Sequence, residues 1–294
     1  MEKYAMKGKT VLITGGANGM GRVTARALAI RGASIIIVDS DAQNGEKIAA
    51  EINQSSSGKT AFFYQCDIAV MKEVRQLIQS IQSAFPKIDV LINNAGIIVE
   101  KREETIEGFE RTFATNYLGH FLLTNLLLPL LNKSEAGRII SISSDAHKQC
   151  AGLDFNDLNN SKKWNKPSAL AGNRAYQSSK LCIVYFTYEL ARRIEDSRVT
   201  ANAVHPGAFV DTNIYVNMTG FFGLIMKLLK PLYKPAEKGA ETAVYLASSP
   251  EVEGVSGKYF AQCTQTESSK ISYDSEAARR LWNISEEMIR LSNG

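Results

Sequence analysis

The sequence predicts a doubly wound α/β fold in which seven parallel strands form one sheet with helices on both faces. Two observations predict it. Short runs rich in β-branched residues alternate with longer stretches whose apolar residues recur at helical spacing, which is typical of a parallel sheet covered on both faces. No internal repeat or low-complexity linker interrupts this alternation, so we expect one domain over residues 1–294.

The first three elements show the pattern clearly. Residues 10–14, TVLIT, are expected to form a buried strand. Residues 22–32, RVTARALAIRG, carry apolar side chains at helical spacing, and Gly32 is expected to end this helix. Residues 34–39, SIIIVD, form the second strand. Because a helix joins the two strands, we expect them to lie parallel in one sheet.

The remaining elements continue the same order. We expect further strands at residues 61–67, 89–96, 138–144, 199–207 and 257–261. We expect further helices at about residues 43–53, 70–85, 106–131 and 176–195. Pro86 is expected to end the helix over residues 70–85. The polar tracts 53–59 and 158–174 are expected to be surface loops.

Composition excludes several function classes. The chain has 294 residues, of which 45% are hydrophobic, and its formal charge of +4 is spread without a basic block, so nucleic acid is not an expected partner. Cys66, Cys150, Cys182 and Cys263 are far apart and the histidines are scattered, so we expect neither a metal site nor a disulfide framework. The N-terminal residues lack a signal-peptide pattern and the longest apolar run is too short to span a bilayer, so we expect a cytoplasmic protein without a transmembrane segment.

A glycine-rich turn follows the first expected strand. Residues 14–21, TGGANGMG, place Gly15, Gly19 and Gly21 between a strand and a helix. Missing Cβ atoms at these positions let the backbone approach a pyrophosphate at the helix N-terminus. No GKS or GKT follows, which excludes an ATP-type P-loop. A tight turn without a ligand is the alternative, but the context favours a dinucleotide-binding turn and hence a Rossmann fold.

Asp39 ends the second expected strand. A carboxylate there can accept hydrogen bonds from both hydroxyls of an adenosine ribose, and it would repel a 2′-phosphate. Asn18, in the glycine turn, offers no cation for a second phosphate either. The position therefore predicts NAD rather than NADP. The alternative is that Asp39 caps the next helix, although Asp41 could fill that role equally well.

Tyr176 and Lys180, in the stretch AYQSSK, are four residues apart and would share one face of a helix. An unperturbed tyrosine, with a pKa of about 10, is a poor base at neutral pH. A neighbouring lysine cation favours the phenolate and is expected to lower the pKa of Tyr176. The pair therefore predicts a general acid/base that serves hydride transfer between an alcohol carbon and a nicotinamide.

Two further polar residues fit the same chemistry. Ser144 ends an expected strand at the carboxyl edge of the sheet, where its hydroxyl can hydrogen-bond the reacting oxygen. Asn116 lies among Leu and Phe in an expected helix, where a buried amide needs a partner. Structural roles are the alternatives: a helix-surface pair for Tyr176 and Lys180, a turn for Ser144 and a satisfied core amide for Asn116. Their joint occurrence on a dinucleotide-binding fold favours the catalytic interpretation.

With these motifs in this order, the sequence resembles the short-chain dehydrogenase/reductase family. The resemblance runs from about residue 8 to the C-terminus and rests on the TGGANGMG turn, NNAG at 93–96, Asn116 in TNYLGHF, Ser144, the Tyr176 and Lys180 pair, and HPG at 205–207. The chain is most similar to the retinol dehydrogenase-like branch, because of TNYLGHFLLT, an insert containing DFNDLN, and the ending SGKYFAQC through RLWNIS.

The resemblance implies further roles. Asn116 would hold a water that links Lys180 to solvent. Asp67 would meet the adenine amino group, and Ile68 would touch the adenine ring. The implied cofactor contacts are Gly15, Ala17, Asn18, Gly19, Met20, Gly21, Asp39, Ser40, Asp67, Ile68, Asn94, Ala95, Gly96, Tyr176, Lys180, Pro206, Gly207, Val210 and Thr212. Asn94 and Gly96 would line the ribose, Pro206, Gly207 and Val210 would lie near the nicotinamide, and Thr212 would lie near the pyrophosphate. The asparagines and the glycine of NNAG could instead only form turns.

The segment 213–235 is rich in large apolar residues with lysines at its edges. A lid over a lipophilic substrate, an amphipathic helix on a membrane surface, and a subunit contact or plain core are the three interpretations. The family position favours the lid, and a lid of this composition suggests a lipophilic secondary or allylic alcohol or ketone. Family members often pair through the helices that bear Asn116 and Tyr176, which implies a homodimer or homotetramer.

The sequence thus predicts an NAD-dependent alcohol dehydrogenase or carbonyl reductase. The retinol dehydrogenase-like branch commonly carries an arginine after strand two and uses NADPH, and many of its animal members have an N-terminal membrane anchor. This chain has Asp39 and Ser40 at that position and shows no anchor, so we expect a soluble NAD enzyme. The alternatives are an NADPH-dependent carbonyl reductase and a protein that senses NAD(H) without turnover.

Overall fold

The computed structural model describes residues 5–56, 58–162, 164, 169–207, 233 and 235–291. The strands are β1 (Thr10–Thr14), β2 (Ser34–Asp39), β3 (Ala61–Gln65), β4 (Val90–Asn93), β5 (Gly137–Ile142), β6 (Val199–His205), β7 (Lys258–Ala261) and β8 (Thr264–Thr266). The helices of the described residues are α1 (Gly19–Ile30), α2 (Ala42–Gln54), α3 (Met71–Ala84), α4 (Arg111–Phe113), α5 (Gly119–Leu131), α6 (Ala169–Arg193), α7 (Ala236–Ser248) and α8 (Ser275–Leu291). Shorter turns are a π-helical turn at Ala114–Leu118 and 3₁₀ turns at Asp145–Gln149, Pro250–Val252 and Lys270–Tyr273.

The strands form one sheet in the order β3-β2-β1-β4-β5-β6-β7-β8. All neighbours from β3 to β7 are parallel, which confirms the predicted fold class. The strand order reverses between β1 and β4, which lie side by side at the centre of the sheet. The loops after these two strands diverge, and in open α/β sheets this is the place where ligands bind.

Alternate residues of the central strands face opposite helix layers. Leu12 and Ile36 belong to a core cluster shared with α3, α5, α6 and α8. Val11, Ile13 and Ile35 belong to a second cluster, shared with α1, α2 and α7. Because the side-chain period of a strand is two, this arrangement confirms that both faces of the sheet are buried. No helix among the described residues is long and apolar enough to cross a membrane.

The sheet has eight strands rather than the predicted seven. The eighth strand, β8, pairs antiparallel with β7. The two residues between them, Gln262 and Cys263, have φ angles of 51° and 59°. Two-residue hairpin turns with positive φ usually contain Asn or Gly, and this turn contains neither, so the sequence carries little signal for the hairpin.

Three expectations about helices need correction. The helix expected over residues 106–131 begins only at Arg111, where the carboxylate of Glu110 caps it by accepting from the backbone N–H groups of Thr112 and Phe113. The tract 158–174, expected as a surface loop, contains the buried residues Leu158 and Asn160 and overlaps the start of α6. Helices α7 and α8 were not among the expected elements, although α8 carries apolar residues at helical spacing.

Candidate active site

An open cleft of about 300 Å³ lies at the carboxyl ends of β1 and β4. Most of the predicted site residues line it, namely Gly15, Asn18, Gly19, Met20, Gly21, Asp39, Ser40, Asp67, Ile68, Asn94, Ala95, Gly96, Ser144, Tyr176, Lys180, Pro206 and Gly207. Further lining residues were not predicted, namely Thr14, Val38, Cys66, Ile97, Arg111, Thr115, Ile142 and Ser143. The structure therefore brings the glycine turn, Asp39 and the Tyr176 and Lys180 pair to one cleft.

The glycine turn packs too closely for a side chain at Gly15 or Gly21. Gly15 has a φ of 64°, in the left-handed region that favours glycine. A Cβ atom on Gly21 would lie 2.0 Å from the carbonyl oxygen of Gly15 and 2.6 Å from Nδ2 of Asn94. Asn94 fastens the turn to β4, because its Nδ2 donates to the carbonyl oxygens of Thr14 and Gly15 at 2.8 and 3.2 Å. Asn94 is thus a structural clamp as well as a lining residue.

The N-terminus of α1 faces the cleft without a capping side chain. Asn18 occupies the N-cap position but makes no capping hydrogen bond, and the first turn of α1 contains no acidic residue. The amide of Asn18 instead donates to Oδ2 of Asp41 at 3.1 Å. The first N–H groups of a helix need acceptors, and together with the helix dipole they favour an anion. The turn therefore fits the pyrophosphate of a dinucleotide.

The structure separates the two alternatives for Asp39. Asp41 caps α2 by accepting from the backbone N–H of Asn44, so Asp39 is not the cap. The Asp39 carboxylate lies in the cleft and accepts from the backbone N–H groups of Ala17 and Asp41 at 3.0 and 3.1 Å. Burial raises the pKa of Asp39 above its usual value, and these hydrogen bonds oppose that shift. Each carboxylate oxygen still has a lone pair for a ribose hydroxyl.

At the adenine end of the expected cofactor path, Asp67 pairs with Arg111. Nη2 of Arg111 lies 2.6 Å from Oδ2 of Asp67, and Oδ1 of Asp67 accepts from the backbone N–H of Ala69 at 3.0 Å. The Arg111 side chain is 31% exposed and lines the cleft. Asp67 thus lines the cleft, where the Arg111 guanidinium shares its carboxylate, and its contact with adenine stays a prediction. The contact joins residues 44 positions apart, so nothing in the local sequence signals it.

Tyr176 and Lys180 lie on the same face of α6, as their spacing predicts. The ammonium nitrogen of Lys180 is 5.4 Å from the centre of the Tyr176 ring. Both side chains are at least nine-tenths buried, and both line the cleft. The phenol and the amine therefore share one poorly hydrated corner of the cleft.

Lys180 is buried beside the end of β5. Its Nζ donates to the carbonyl oxygen of Ile142 at 2.9 Å, and Ser143 Oγ donates to the backbone carbonyl of Lys180 at the same distance. Burial lowers the pKa of Lys180 to about 7, because a cation loses hydration there. Lys180 is thus a titrating group near neutral pH rather than the permanent cation that the sequence suggested.

Ser144 lies two residues beyond the end of β5, not at its last residue as predicted. It begins the 3₁₀ turn Asp145–Gln149, and its Oγ accepts from the backbone N–H of Ala146 at 3.2 Å. The hydroxyl keeps its own proton as a donor. Ser144 therefore has a fixed position on the cleft wall and a proton to donate.

Asn116 lies behind the cleft, in the π-helical turn. Its Oδ1 accepts from the backbone N–H of Ile97 at 2.8 Å, and its Nδ2 donates to Ile97 O at 3.0 Å and to Ser179 Oγ at 2.9 Å. The Asn116 backbone carbonyl accepts from Nδ1 of His120 at 3.1 Å. The Asn116 side chain thus joins the loop after β4 to α6. The water contact that the resemblance implies for Asn116 stays a prediction.

Of the remaining predicted site residues, the structure describes Ala17 but not Val210 and Thr212. Ala17 is in the glycine turn but is buried beneath the cleft, where its N–H serves Asp39. Val210, Thr212 and all of the expected lid at 213–235 except Tyr233 and Pro235 lie outside the described residues. Among the described residues, no group of three His, Cys, Asp or Glu side chains could hold a metal ion.

Known proteins resemble this chain over most of its length. A family model described as short chain dehydrogenase matches residues 9–153. Retinol dehydrogenase 14 of Homo sapiens is 41% identical, and the alignment covers 97% of this chain and 88% of that protein. The crystal structure of an uncharacterised protein from Mycobacterium paratuberculosis superimposes with a TM-score of 0.77 at 31% identity, covering 98% of this chain and 96% of the other. The 3-ketoacyl-(acyl-carrier-protein) reductase from Brucella melitensis, complexed with NADH, has a TM-score of 0.67 at 25% identity, covering 88% and 98%.

Proposed function

This chain belongs to the short-chain dehydrogenase/reductase family, and from that premise we propose that it transfers a hydride between NAD(H) and a lipophilic secondary or allylic alcohol, or the corresponding carbonyl compound. It is an oxidoreductase of this family, similar to retinol dehydrogenases. The proposed reaction and cofactor are supported by one observation. Ser144, Tyr176 and Lys180 line the same cleft as the glycine turn and Asp39.

Residues of this chain fit the pyrophosphate and the adenosine ribose of a nicotinamide dinucleotide. The turn at Gly15 and the uncapped N-terminus of α1 suit the pyrophosphate, and Asp39 suits an adenosine ribose that carries two hydroxyls. A bound NAD supplies the acceptor for the hydride that leaves the alcohol carbon. Asp39 favours NAD over NADP, because a 2′-phosphate would place a second anion beside this carboxylate.

Tyr176 moves the proton that accompanies the hydride. Its phenolate, stabilised by Lys180, removes the alcohol proton during oxidation, and its protonated hydroxyl donates a proton to the carbonyl oxygen during reduction. A phenolate at Tyr176 and an ammonium at Lys180 stabilise each other, because opposite charges attract strongly where little water screens them. The burial that lowers the pKa of Lys180 therefore also makes its charge effective when the phenolate forms.

Ser144 donates a hydrogen bond to the reacting oxygen. The Ala146 N–H occupies one acceptor site of its Oγ, which orients the hydroxyl and leaves its proton for the cleft. Charge develops on the substrate oxygen as the proton leaves, and a preplaced donor stabilises that charge without reorganisation. Ser144 and Tyr176 thus hold the substrate oxygen from two sides.

A lipophilic substrate is supported by the similarity to retinol dehydrogenase 14, whose name specifies a long apolar alcohol. The apolar composition of residues 213–235 supports the same class, if this segment covers the substrate as a lid. Retinol, a long-chain allylic alcohol and a long-chain secondary alcohol represent the class in a test. Turnover of an alcohol in this panel with NAD, measured by NADH absorbance, supports the proposal, whereas no turnover in either direction contradicts it.

The two alternative functions make different predictions. An NADPH-dependent carbonyl reductase would bind NADP at least as tightly as NAD, which direct titration of the two cofactors decides. A protein that only senses NAD(H) would bind the cofactor without turnover and would need neither Ser144 nor Tyr176. The placement of both side chains in the cleft favours the enzyme.

Self-association is the remaining proposal, and the structure limits where it can occur. We expected pairing through the helices that bear Asn116 and Tyr176. The C-terminal helix α8 packs on that region, where the Trp282 ring lies 4.9 Å from Phe121 and 5.8 Å from Phe186. A homodimer or homotetramer therefore has to use surface that α8 leaves exposed, and light scattering of the purified chain measures whether it forms.

A further inference from the structure

His147 connects Ser144 to the C-terminal part of the chain. It lies in the 3₁₀ turn that Ser144 begins, and it is fully buried. Its Nδ1 lies 2.6 Å from the carbonyl oxygen of Ser144, and its Nε2 lies 3.0 Å from the backbone N of Ser269. The backbone N–H of His147 donates to the same Ser144 carbonyl at 3.1 Å. One imidazole therefore bridges the serine and a segment 122 residues away.

The hydrogen bonds of His147 with Ser144 and Ser269 determine which ring nitrogen carries a proton. A carbonyl oxygen can only accept, so Nδ1 of His147 carries a proton and donates to Ser144. A backbone N–H can only donate, so Nε2 carries no proton and accepts from Ser269. His147 is therefore neutral, with its proton on Nδ1. Burial lowers the pKa of His147, which agrees with this assignment.

The far end of the bridge is itself fixed to the core. Tyr188 on α6 shares a 2.7 Å hydrogen bond with Ser268, and Tyr185 on α6 donates to the carbonyl of Ile271 at 3.0 Å. The Tyr188 and Tyr273 rings stack with their centres 5.5 Å apart. The segment 268–273 is thus held against the helix that carries the candidate general base. An anchor of this kind can hold His147 in one position relative to α6.

We propose that His147 is a positioning residue, whose Nδ1–H holds the Ser144 carbonyl and so sets the hydroxyl of Ser144 at the distance from the substrate oxygen that catalysis requires. The proposal rests on the proposed function, since it assigns Ser144 to the reacting oxygen. The Ser144 hydroxyl is oriented by Ala146, which belongs to the same 3₁₀ turn that His147 closes. Loss of the His147 anchor would let this turn relax, and a displacement of about 1 Å at a reacting group can cost on the order of 100-fold in rate.

Three substitutions of His147 separate a positioning role from simple packing. An asparagine amide can place its N–H group where Nδ1 lies, whereas a glutamine amide reaches toward the Nε2 position. His147→Asn therefore keeps the donor to Ser144, His147→Gln keeps the acceptor for Ser269, and His147→Leu loses both. Ser285→Ala is the matched control, because it removes a buried hydrogen bond to Tyr117 that involves neither Ser144 nor the segment 268–273.

The experiment measures kcat, KM, the NAD dissociation constant and the melting temperature of each variant, with NAD and the most active alcohol of the test panel. We expect His147→Leu to lower kcat about 10- to 100-fold with KM and NAD affinity within about threefold. We expect His147→Asn to retain most of the activity and His147→Gln to behave like His147→Leu. Ser285→Ala is expected to keep kcat even where its melting temperature falls.

A second variant leaves His147 intact. Ser269 has a φ of −65°, which proline can adopt, so Ser269→Pro removes the donor to Nε2, and its Cδ atom takes the place of that hydrogen and displaces the imidazole. We expect a fall in kcat similar to that of His147→Leu, with KM unchanged. The proposal is overturned if folded His147→Leu and Ser269→Pro keep wild-type kcat, or if the variants change only KM. Wild-type turnover is measured in the same series. Variants that keep wild-type kcat would overturn the role of His147 but leave the proposed function intact. Absence of wild-type turnover would contradict the proposed function itself.

Discussion

The ammonium nitrogen of Lys180 lies 5.4 Å from the centre of the Tyr176 ring, in a corner where both side chains are nearly excluded from water. Sequence reasoning treated this lysine as a fixed cation. In the structure, burial lowers the pKa of Lys180 to about 7. Lys180 therefore loses its proton near neutral pH, beside the Tyr176 side chain that is proposed to transfer the proton of the alcohol.

The pH dependence of turnover follows from the titration of Lys180. Below about pH 7 Lys180 keeps its proton and cannot take up the proton that leaves the alcohol through Tyr176. Above it, the neutral amine of Lys180 can accept the Tyr176 proton, and the phenolate formed in this way takes the proton of the alcohol. We expect kcat/KM for alcohol oxidation to rise as the pH rises through about 7 and then level off. Stopped-flow or steady-state rates from pH 5.5 to 9.5 measure this, and a flat profile would argue against the pair.

The burial of Lys180 also lowers the free energy of unfolding of the protein. The folded state holds its proton only up to a pKa of about 7, whereas the unfolded state holds it up to 10.5. Between these values the unfolded chain binds more protons, so stability rises with pH, and the cost is largest below pH 7. We expect Lys180→Met to abolish turnover yet raise the melting temperature more at pH 6 than at pH 9. Lys258→Met, at an exposed lysine, is the control, and an equal shift at both pH values contradicts the assignment.

Cofactor choice depends on Asp39. A hydrogen bond to a charged group contributes about 1.5–3 kcal/mol, so we expect Asp39→Ala to weaken NAD binding by about 10- to 100-fold. NADP binding is expected to improve relative to NAD, because the repulsive carboxylate is gone. Asp41→Asn serves as the control, since Asp41 caps α2 and should leave the preference unchanged. Titration calorimetry with both cofactors gives the ratio, and an unaltered preference in Asp39→Ala would exclude the ribose role.

The glycine turn tolerates no methyl group at Gly21. A Cβ atom there would lie 2.0 Å from the Gly15 carbonyl oxygen, so the turn would have to open. We expect Gly21→Ala to lose most of its NAD affinity and to unfold at a lower temperature than the wild type. Gly58→Ala is the matched control, because a Cβ at Gly58 meets no atom within 4 Å. Equal NAD affinity in the two variants would mean that the turn does not approach the cofactor.

Much of the candidate site follows from short-range sequence signals. The spacing of Tyr176 and Lys180 places them on one helix face, and the end of strand two places Asp39 in the cleft. Both inferences depend only on the period of a helix and on the fact that parallel strands end at one edge of the sheet. The dinucleotide-binding turn at Gly15 is also predicted from local sequence, because it lies directly between a predicted strand and a predicted helix.

The features that sequence reasoning missed depend on distant contacts or on unusual turns. Arg111 meets Asp67 across 44 residues, and His147 meets Ser269 across 122 residues, so neither pairing has a local signal. The β8 hairpin uses left-handed Gln262 and Cys263 instead of Asn and Gly. The pKa of Lys180 depends on burial by the whole fold, which the sequence alone does not quantify.

The central claim is that Tyr176 transfers the proton, and Tyr176→Phe tests it most directly. The substitution removes the hydroxyl and keeps the ring against which Lys180 packs. The measurement is turnover of the most active alcohol with NAD, together with NAD affinity on the same samples. We expect the variant to bind NAD as the wild type does and to lose about 100- to 10,000-fold in kcat, the usual contribution of general acid–base catalysis. Wild-type turnover in folded Tyr176→Phe would contradict the account.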